Sequence, residues 1–160
     1  MLPTGRQLPL WLLASPLMEG PVTALERGPV VIHFFPLSFS DGCQIQNRRF
    51  QRAYPDLVAM GAEVFGISTD APEFQAAFSQ MLGLPFPLIS DQDGHVASAF
   101  GVLRDTETVR AHRALFVIGV DNWIIEAWQS PNDLEVFPDP ALAKKALESR
   151  VSEWPTLKEV

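Results

Sequence analysis

The sequence predicts an α/β fold in which a mixed central sheet is covered by helices on both faces. Three observations carry that expectation. The run VVIHFF, Val30 to Phe35, is apolar without alternation apart from His33, as expected of a strand buried on both faces. Downstream, short β-type runs give way repeatedly to apolar residues at helical spacing. Two late runs, Ala114 to Val120 and Trp123 to Trp128, flank Asp121-Asn122 and read as an antiparallel hairpin.

The elements follow in the order β-α-β-α-β-α-β-β-α. After Phe35 the pattern turns helical from Ser40, with Phe50, Ala53, Tyr54 and Leu57 on one face and an end at Gly61. Pro55 removes a backbone donor inside that run, so a kink or a restart is expected there. Glu63 to Ser68 (EVFGIS) is a second strand. Asp70 is expected to cap a helix with Pro72 and Glu73 in its first turn. Phe74, Ala77, Phe78, Met81 and Leu82 form its apolar stripe, and Gly83 stops it. Phe86 to Ile89 is a third strand, His95 to Phe100 a short helix. A last helix starts at Asp139-Pro140, with Leu142, Ala146 and Leu147 facing inward. The first 28 residues, interrupted by Pro3, Pro9, Pro16 and Pro21, are expected to add short edge strands.

The bulk composition bounds the function. A chain of 160 residues is expected to form one domain, 1–160, with a core that needs no disulfide or metal. No run approaches the roughly 20 apolar residues of a membrane span. A net charge of −7 disfavours nucleic acid and anionic membranes as partners. The single cysteine, Cys43, excludes a disulfide within the chain and fits a reducing, cytoplasmic setting. The start, MLPTGRQLPLWLLASP, has a faint signal-peptide look, but its apolar run is short and contains Pro9. No internal repeat, phosphate loop, dinucleotide fingerprint or serine-hydrolase elbow is present.

A lone cysteine is by default a small buried hydrophobe. Cys43, however, is expected in the first turn of a helix that follows a buried strand. Free backbone amides and the positive end of the helix dipole stabilise an anion there, and so favour a reactive thiolate. Ser40 and Asp41 are both suitable cap residues. Ser40, three residues before the cysteine, is also placed to aim its hydroxyl at whatever a thiolate attacks. Pro36 stiffens the strand exit and helps to wall the site from water.

Pro36-x-x-x-Ser40-x-x-Cys43 resembles the P-x-x-x-[T/S]-x-x-C signature of the peroxiredoxins. These are thiol peroxidases of the alkyl hydroperoxide reductase/thiol-specific antioxidant family, built on a thioredoxin-like fold. GISTD, FPLISDQDGHVASAFGV (Phe86 to Val102) and HRALFVIG (His112 to Gly119) are similar to that family's segments, in the same order. The resemblance covers roughly Leu8 to Trp128. It implies a thiolate, Cys43, that attacks hydrogen peroxide or an organic hydroperoxide and becomes a sulfenic acid. It also places Arg113 where the family's late-strand arginine completes the site, a cation with directed donors for the leaving oxygen. No metal, haem or flavin is implied, and a homodimer is compatible.

Departures from the family pattern shape the expected mechanism. Ser40 replaces the commoner threonine but keeps a hydroxyl. Arg48 stands where Q-type (bacterioferritin-comigratory) members often carry a resolving cysteine, so recycling would fall to an external thiol. Thioredoxin, glutaredoxin or a low-molecular-weight thiol would each serve. PLSFSDGCQ is closest to the one-cysteine E-type motif, with the Q-type as the other candidate subgroup. Gln46 replaces a glutamate common to both groups, which puts any role of that side chain in question. Two rival functions stay open: a redox sensor or docking protein without turnover, and a thiol transferase, which the absence of a C-x-x-C pair disfavours.

Other candidates take bland readings. His112 is expected to be an exposed loop histidine, and His33 a satisfied core histidine. Asp91, Asp93 and His95 match no strong zinc or calcium spacing and are expected to form a polar strand-to-helix connection. Arg48, Arg49 and Arg52 are expected to form a solvated face, with attraction of an acidic reductant as the alternative. Phe35, Phe39 and Trp128 are core residues by default, with an apolar rim to the site as the alternative.

Overall fold

The computed structural model describes residues 1–105 and 107–150. Five strands form one mixed sheet in the order β3-β2-β1-β6-β7. β1 (Val30–Phe34) lies at its centre and is fully buried, His33 included. It pairs in parallel with β2 (Glu63–Ser68), which pairs in parallel with β3 (Leu88–Ser90). On its other side β1 pairs antiparallel with β6 (Ala114–Ile118), itself hairpinned to β7 (Ile124–Gln129). The turn between them has Asn122 in the left-handed region at φ 69°, a conformation asparagine tolerates.

Residues alternate along the central strands between two cores. Val30, Ile32, Phe34, Phe116 and Ile118 pack against α2 (Glu19–Leu25) and α5 (His95–Ala99). Val31, Val64, Leu115 and Val117 pack against α3 (Asp41–Ala59) and α6 (Pro140–Arg150). Near the amino end of α3, Phe78 and Leu82 of α4 (Pro72–Leu82) join Phe35 and Cys43 in a smaller cluster. The α/β expectation with helices on both faces therefore holds.

Several expectations about individual elements need correction. The first 28 residues form short helices instead: α1 (Leu10–Leu13), a 3-10 turn at Pro16–Met18, and α2. Pro9 caps α1, Pro16 opens the 3-10 turn, and Pro21 lies in the first turn of α2. In all three places the missing N–H has no helical partner to lose. The edge-strand expectation survives only as a single antiparallel bridge between Gln7 and Trp123. Pro55 neither breaks nor restarts α3, which runs through it to Ala59. β3 is shifted to Leu88–Ser90, while Pro87, unable to donate, accepts a hydrogen bond from the Gly66 amide. A second, small sheet pairs β4 (Leu103–Asp105) with β5 (Arg110–Ala111); its strands are too short to show a period in sequence.

Asp70 does not cap α4; Ala71 occupies that position without a side-chain cap. The buried Asp70 carboxylate instead accepts from the Ser38 amide, the Ser38 hydroxyl and the Ser68 hydroxyl, each at 2.8 Å. Three donors on one carboxylate offset the cost of burying it. Their effect is to pin the loop leaving β1 to the end of β2, which fixes the segment from Pro36 to Ser40.

Candidate active site

Cys43 lies in the first turn of α3 with no exposed surface. Ser40 is the helix N-cap: its hydroxyl oxygen accepts the Cys43 amide at 3.2 Å and its proton goes to the Leu37 carbonyl at 3.0 Å. Of the two expected cap residues, Ser40 is the one used. The preceding residue, Phe39, is held at φ 70°, a conformation that costs a non-glycine residue about 1–2 kcal/mol. Its ring lies edge-on to Phe78, 5.4 Å between centroids.

Arg113 comes from the residue before β6, the strand antiparallel to β1, so it reaches the mouth of α3 from the opposite side. Its Nη1 donates to Cys43 Sγ at 3.3 Å and to Gln46 Oε1 at 2.9 Å. Its Nε donates to the Asp133 carbonyl at 2.6 Å, and its backbone amide to the Asp133 carboxylate at 2.9 Å. Phe137 stacks under the guanidinium, 4.7 Å from ring centroid to Cζ. Gly42 makes this approach possible: a Cβ there would stand 2.5 Å from Arg113 Nη2 and 3.1 Å from the Phe137 ring. A backbone helix end and a guanidinium thus converge on one sulfur, an arrangement that can hold a thiolate and a developing oxyanion.

Gln46 answers the doubt raised by its replacement of glutamate. While Oε1 accepts from Arg113, its Nε2 donates to the Phe34 carbonyl and to His33 Nδ1, each at 2.9 Å. A carboxylate could not donate to the Phe34 carbonyl, so the amide suits a site that needs an acceptor for Arg113 and a donor for the β1 backbone at once. His33 is stacked on Phe50, 4.1 Å between ring centroids. Burial pushes its pKa from 6.5 down to about 3, so the ring is neutral and Nδ1 is free to accept. The expectation of a satisfied core histidine holds for Nδ1 only, since Nε2 has no hydrogen-bond partner.

This burial makes a pH prediction. Between pH 6.5 and about 3 the unfolded chain protonates His33 while the native fold does not. Native stability therefore falls as pH drops through that window, by up to about 1.4 kcal/mol per pH unit from this group. Urea unfolding across the window is expected to show a slope that His33→Leu lowers by roughly 1 kcal/mol per unit. Parallel slopes for the two proteins would remove His33 as the cause.

The cleft above the sulfur measures about 420 Å³. Pro36, Ser40, Gly42 and Arg113 line it, together with Leu37, Asp133, Leu134 and the β4–β5 residues Arg104, Thr108 and Arg110. All four candidate residues, Cys43, Arg113, Ser40 and Pro36, are thus brought together. Of the weaker ones, His112 is held by the Asp133 carboxylate at 2.8 Å rather than lying free. Phe39 is part exposed near the site, Phe35 packs against Cys43, and Trp128 is half-buried against the core under α6. Arg49 leans over Phe137 at 5.5 Å, so it is a packed residue as well as a solvated one. Asp91 spends its carboxylate on the amides of Val96 and Ala97, and Asp93 on His95. That polar connection is as expected. Gly42, Asp133 and Phe137 were not singled out by sequence reasoning; each acts through a tertiary contact that leaves no periodic or motif signal.

Comparison with known proteins gives a consistent result. Residues 20–127 match the family model described as AhpC/TSA family. A Mycobacterium tuberculosis protein named among the peroxiredoxins is 33% identical over 121 residues, 74% of this chain and 79% of that one. A chloroplastic peroxiredoxin Q of Sedum lineare is 37% identical over 90 residues, 56% of this chain and 48% of its own. The crystal structure of peroxidoxin BcpB from M. tuberculosis superposes with a TM-score of 0.75 at 28% identity, covering 96% of this chain and 98% of that one. A mutant PrxQ of Xylella fastidiosa gives 0.77 at 25% identity, with the same coverage. The fold is that of thioredoxin-like peroxiredoxins, and these names favour the Q-type over the E-type subgroup.

Proposed function

Because the chain belongs to the AhpC/TSA family, the peroxiredoxins, whose general activity is thiol-dependent peroxide reduction, we propose that it is a one-cysteine peroxidase acting through Cys43. The observation that carries this reading is the 3.3 Å contact of Arg113 Nη1 with a sulfur already placed at a helix N-terminus. In the first step the Cys43 thiolate attacks the terminal oxygen of R–O–O–H. An S–O bond forms, the O–O bond breaks, and the electron pair leaves on R–O⁻, which takes a proton from solvent. Sulfur is oxidised by two electrons to a sulfenic acid and the peroxide is reduced by two. Arg113 stabilises the departing charge, and Ser40 can turn its hydroxyl from Leu37 to the bound peroxide. Pro36 keeps bulk water out.

Cys43 is the only cysteine, so the second half needs an outside thiol. A first R′–SH condenses with the sulfenic acid to a mixed disulfide and water. A second R′–SH releases the Cys43 thiol and leaves R′–S–S–R′. Thioredoxin, glutaredoxin or a small thiol would supply these steps, acting on one domain of residues 1–160, alone or as a homodimer, in the cytoplasm. The described residues contain no helix long and apolar enough to cross a membrane. Since Cys43 has no exposed surface, peroxide entry also requires a local opening of the residues around the sulfur.

The test is stopped-flow fluorescence and thiol titration of the reduced protein with hydrogen peroxide, followed by steady-state turnover with each class of reductant. Oxidation faster than free cysteine by about a thousandfold or more is expected. Turnover is expected with at least one reductant. A rate equal to free cysteine defeats the reading. Fast oxidation without turnover on any thiol favours the sensor alternative instead.

A further inference from the structure

The cleft over Cys43 holds more positive charge than peroxide reduction itself requires. Arg113 is committed to the sulfur, Gln46 and Asp133, but Arg104 and Arg110 also line the cleft. Both lie on the small β4–β5 sheet, which nothing in the reaction above uses. That sheet is anchored over the site: the Thr69 hydroxyl donates to the Val109 carbonyl at 2.6 Å, and Val109 is held in the left-handed region at φ 46°. Arg110 donates only to the Thr69 hydroxyl, at 3.5 Å, and among the described residues no carboxylate pairs with it. Arg104 reaches Asp133 at 4.0 Å with its side chain 46% exposed. Among the described residues, Asp133 is the only carboxylate lining the cleft. It already accepts from His112 and from the Arg113 amide. Positive charge therefore exceeds negative here, in a chain whose net charge is −7.

Apolar surface borders the same opening. Leu37 is 40% exposed and Leu134 is 85% exposed, both on the lining. An uncharged oxidant such as hydrogen peroxide would use neither the guanidiniums nor this rim. A molecule with a carbon skeleton, a hydroperoxide at one end and an anionic group at the other would use both.

Building on the peroxidase reading, we propose that Arg104 and Arg110 form a subsite selecting organic hydroperoxides that carry a negatively charged group, with the carbon chain resting on Leu37 and Leu134. Focusing of an anion by unpaired guanidiniums raises its local concentration and its rate of association, and the effect is screened by salt. The chemistry at sulfur is unchanged; the subsite adds only recognition.

A tertiary alkyl hydroperoxide bearing a carboxylate, and its methyl ester, form the deciding pair, because they differ in charge and hardly in shape. Rates of Cys43 oxidation by each are compared at low ionic strength, with hydrogen peroxide measured alongside. The acid is expected to react about tenfold faster than the ester, and the advantage is expected to shrink at molar salt. In an Arg104→Gln/Arg110→Gln variant the acid-to-ester ratio is expected to fall close to one. This ratio is internally normalised, so a general loss of activity does not mimic the effect. A phosphate-bearing hydroperoxide run in parallel shows whether carboxylate or phosphate is preferred; an advantage for either over its neutral ester supports the subsite. Normal reaction with hydrogen peroxide but equal rates for charged and neutral forms overturns the subsite alone. A ratio unchanged by the double substitution does the same. Failure to react with any peroxide removes the peroxidase reading, and the subsite with it.

Discussion

Cys43→Ser is expected to lower the rate of peroxide consumption by at least about a thousandfold, to the background of the buffer and reductant. Serine keeps the size and the position of the side chain, and its oxygen can still accept from Arg113 Nη1, now 3.3 Å from sulfur. What it lacks is the chemistry. An alcohol is not appreciably ionised at neutral pH even beside a guanidinium, and oxygen has no accessible two-electron oxidation comparable to thiolate to sulfenic acid. The loss should therefore come with little change in fold, which thermal unfolding checks directly. Trapping with a sulfenic-acid reagent gives an independent readout: wild-type protein exposed to peroxide should add one label, on Cys43, and the variant none. Peroxide consumption by the variant within tenfold of wild type would place the chemistry elsewhere.

The sulfur's setting was legible because its parts are close in sequence. Pro36, Ser40 and Cys43 fall in one segment; the strand before it declares itself as an apolar run and the helix after it by periodicity. Arg113 lies seventy residues away from Cys43, |i−j| = 70. No local pattern connects the two; only the ordered resemblance of whole segments did. The partners that hold Arg113 left still less trace. Asp133 and Phe137 sit in the loop after β7, where neither period nor motif marks them, and Gly42 looks like any loop glycine until the guanidinium is seen beside it.

Misreadings elsewhere have one source: the same residue type serves two local structures. Proline spaced through the first 28 residues fits an edge strand or the first turns of short helices, and only packing on the sheet chooses the helices. Asp70 before Pro72 is a good cap by sequence, yet three donors from Ser38 and Ser68 take its carboxylate. The effect of that exchange is functional: a residue expected to start a helix instead fixes the loop over Cys43. Gln46 shows the reverse. It looked like a lost charge, and proves to be the group that links Arg113 to the β1 backbone and to His33.

Arg113→Met is expected to slow oxidation of Cys43 by hydrogen peroxide by about a hundred- to a thousandfold, the range for losing one directed donor to a developing oxyanion. Methionine fills much of the volume over Phe137 while removing the charge and every N–H. The loss is large because only the helix N-terminus then remains beside the sulfur: no other described side chain donates to Cys43 Sγ. Arg113→Lys restores charge without the planar fork. It cannot reach sulfur, Gln46 Oε1 and the Asp133 carbonyl together, so it should recover less than a tenth of the lost rate. Full activity in Arg113→Lys would mean that charge alone suffices, and wild-type activity in Arg113→Met would remove Arg113 from the reaction.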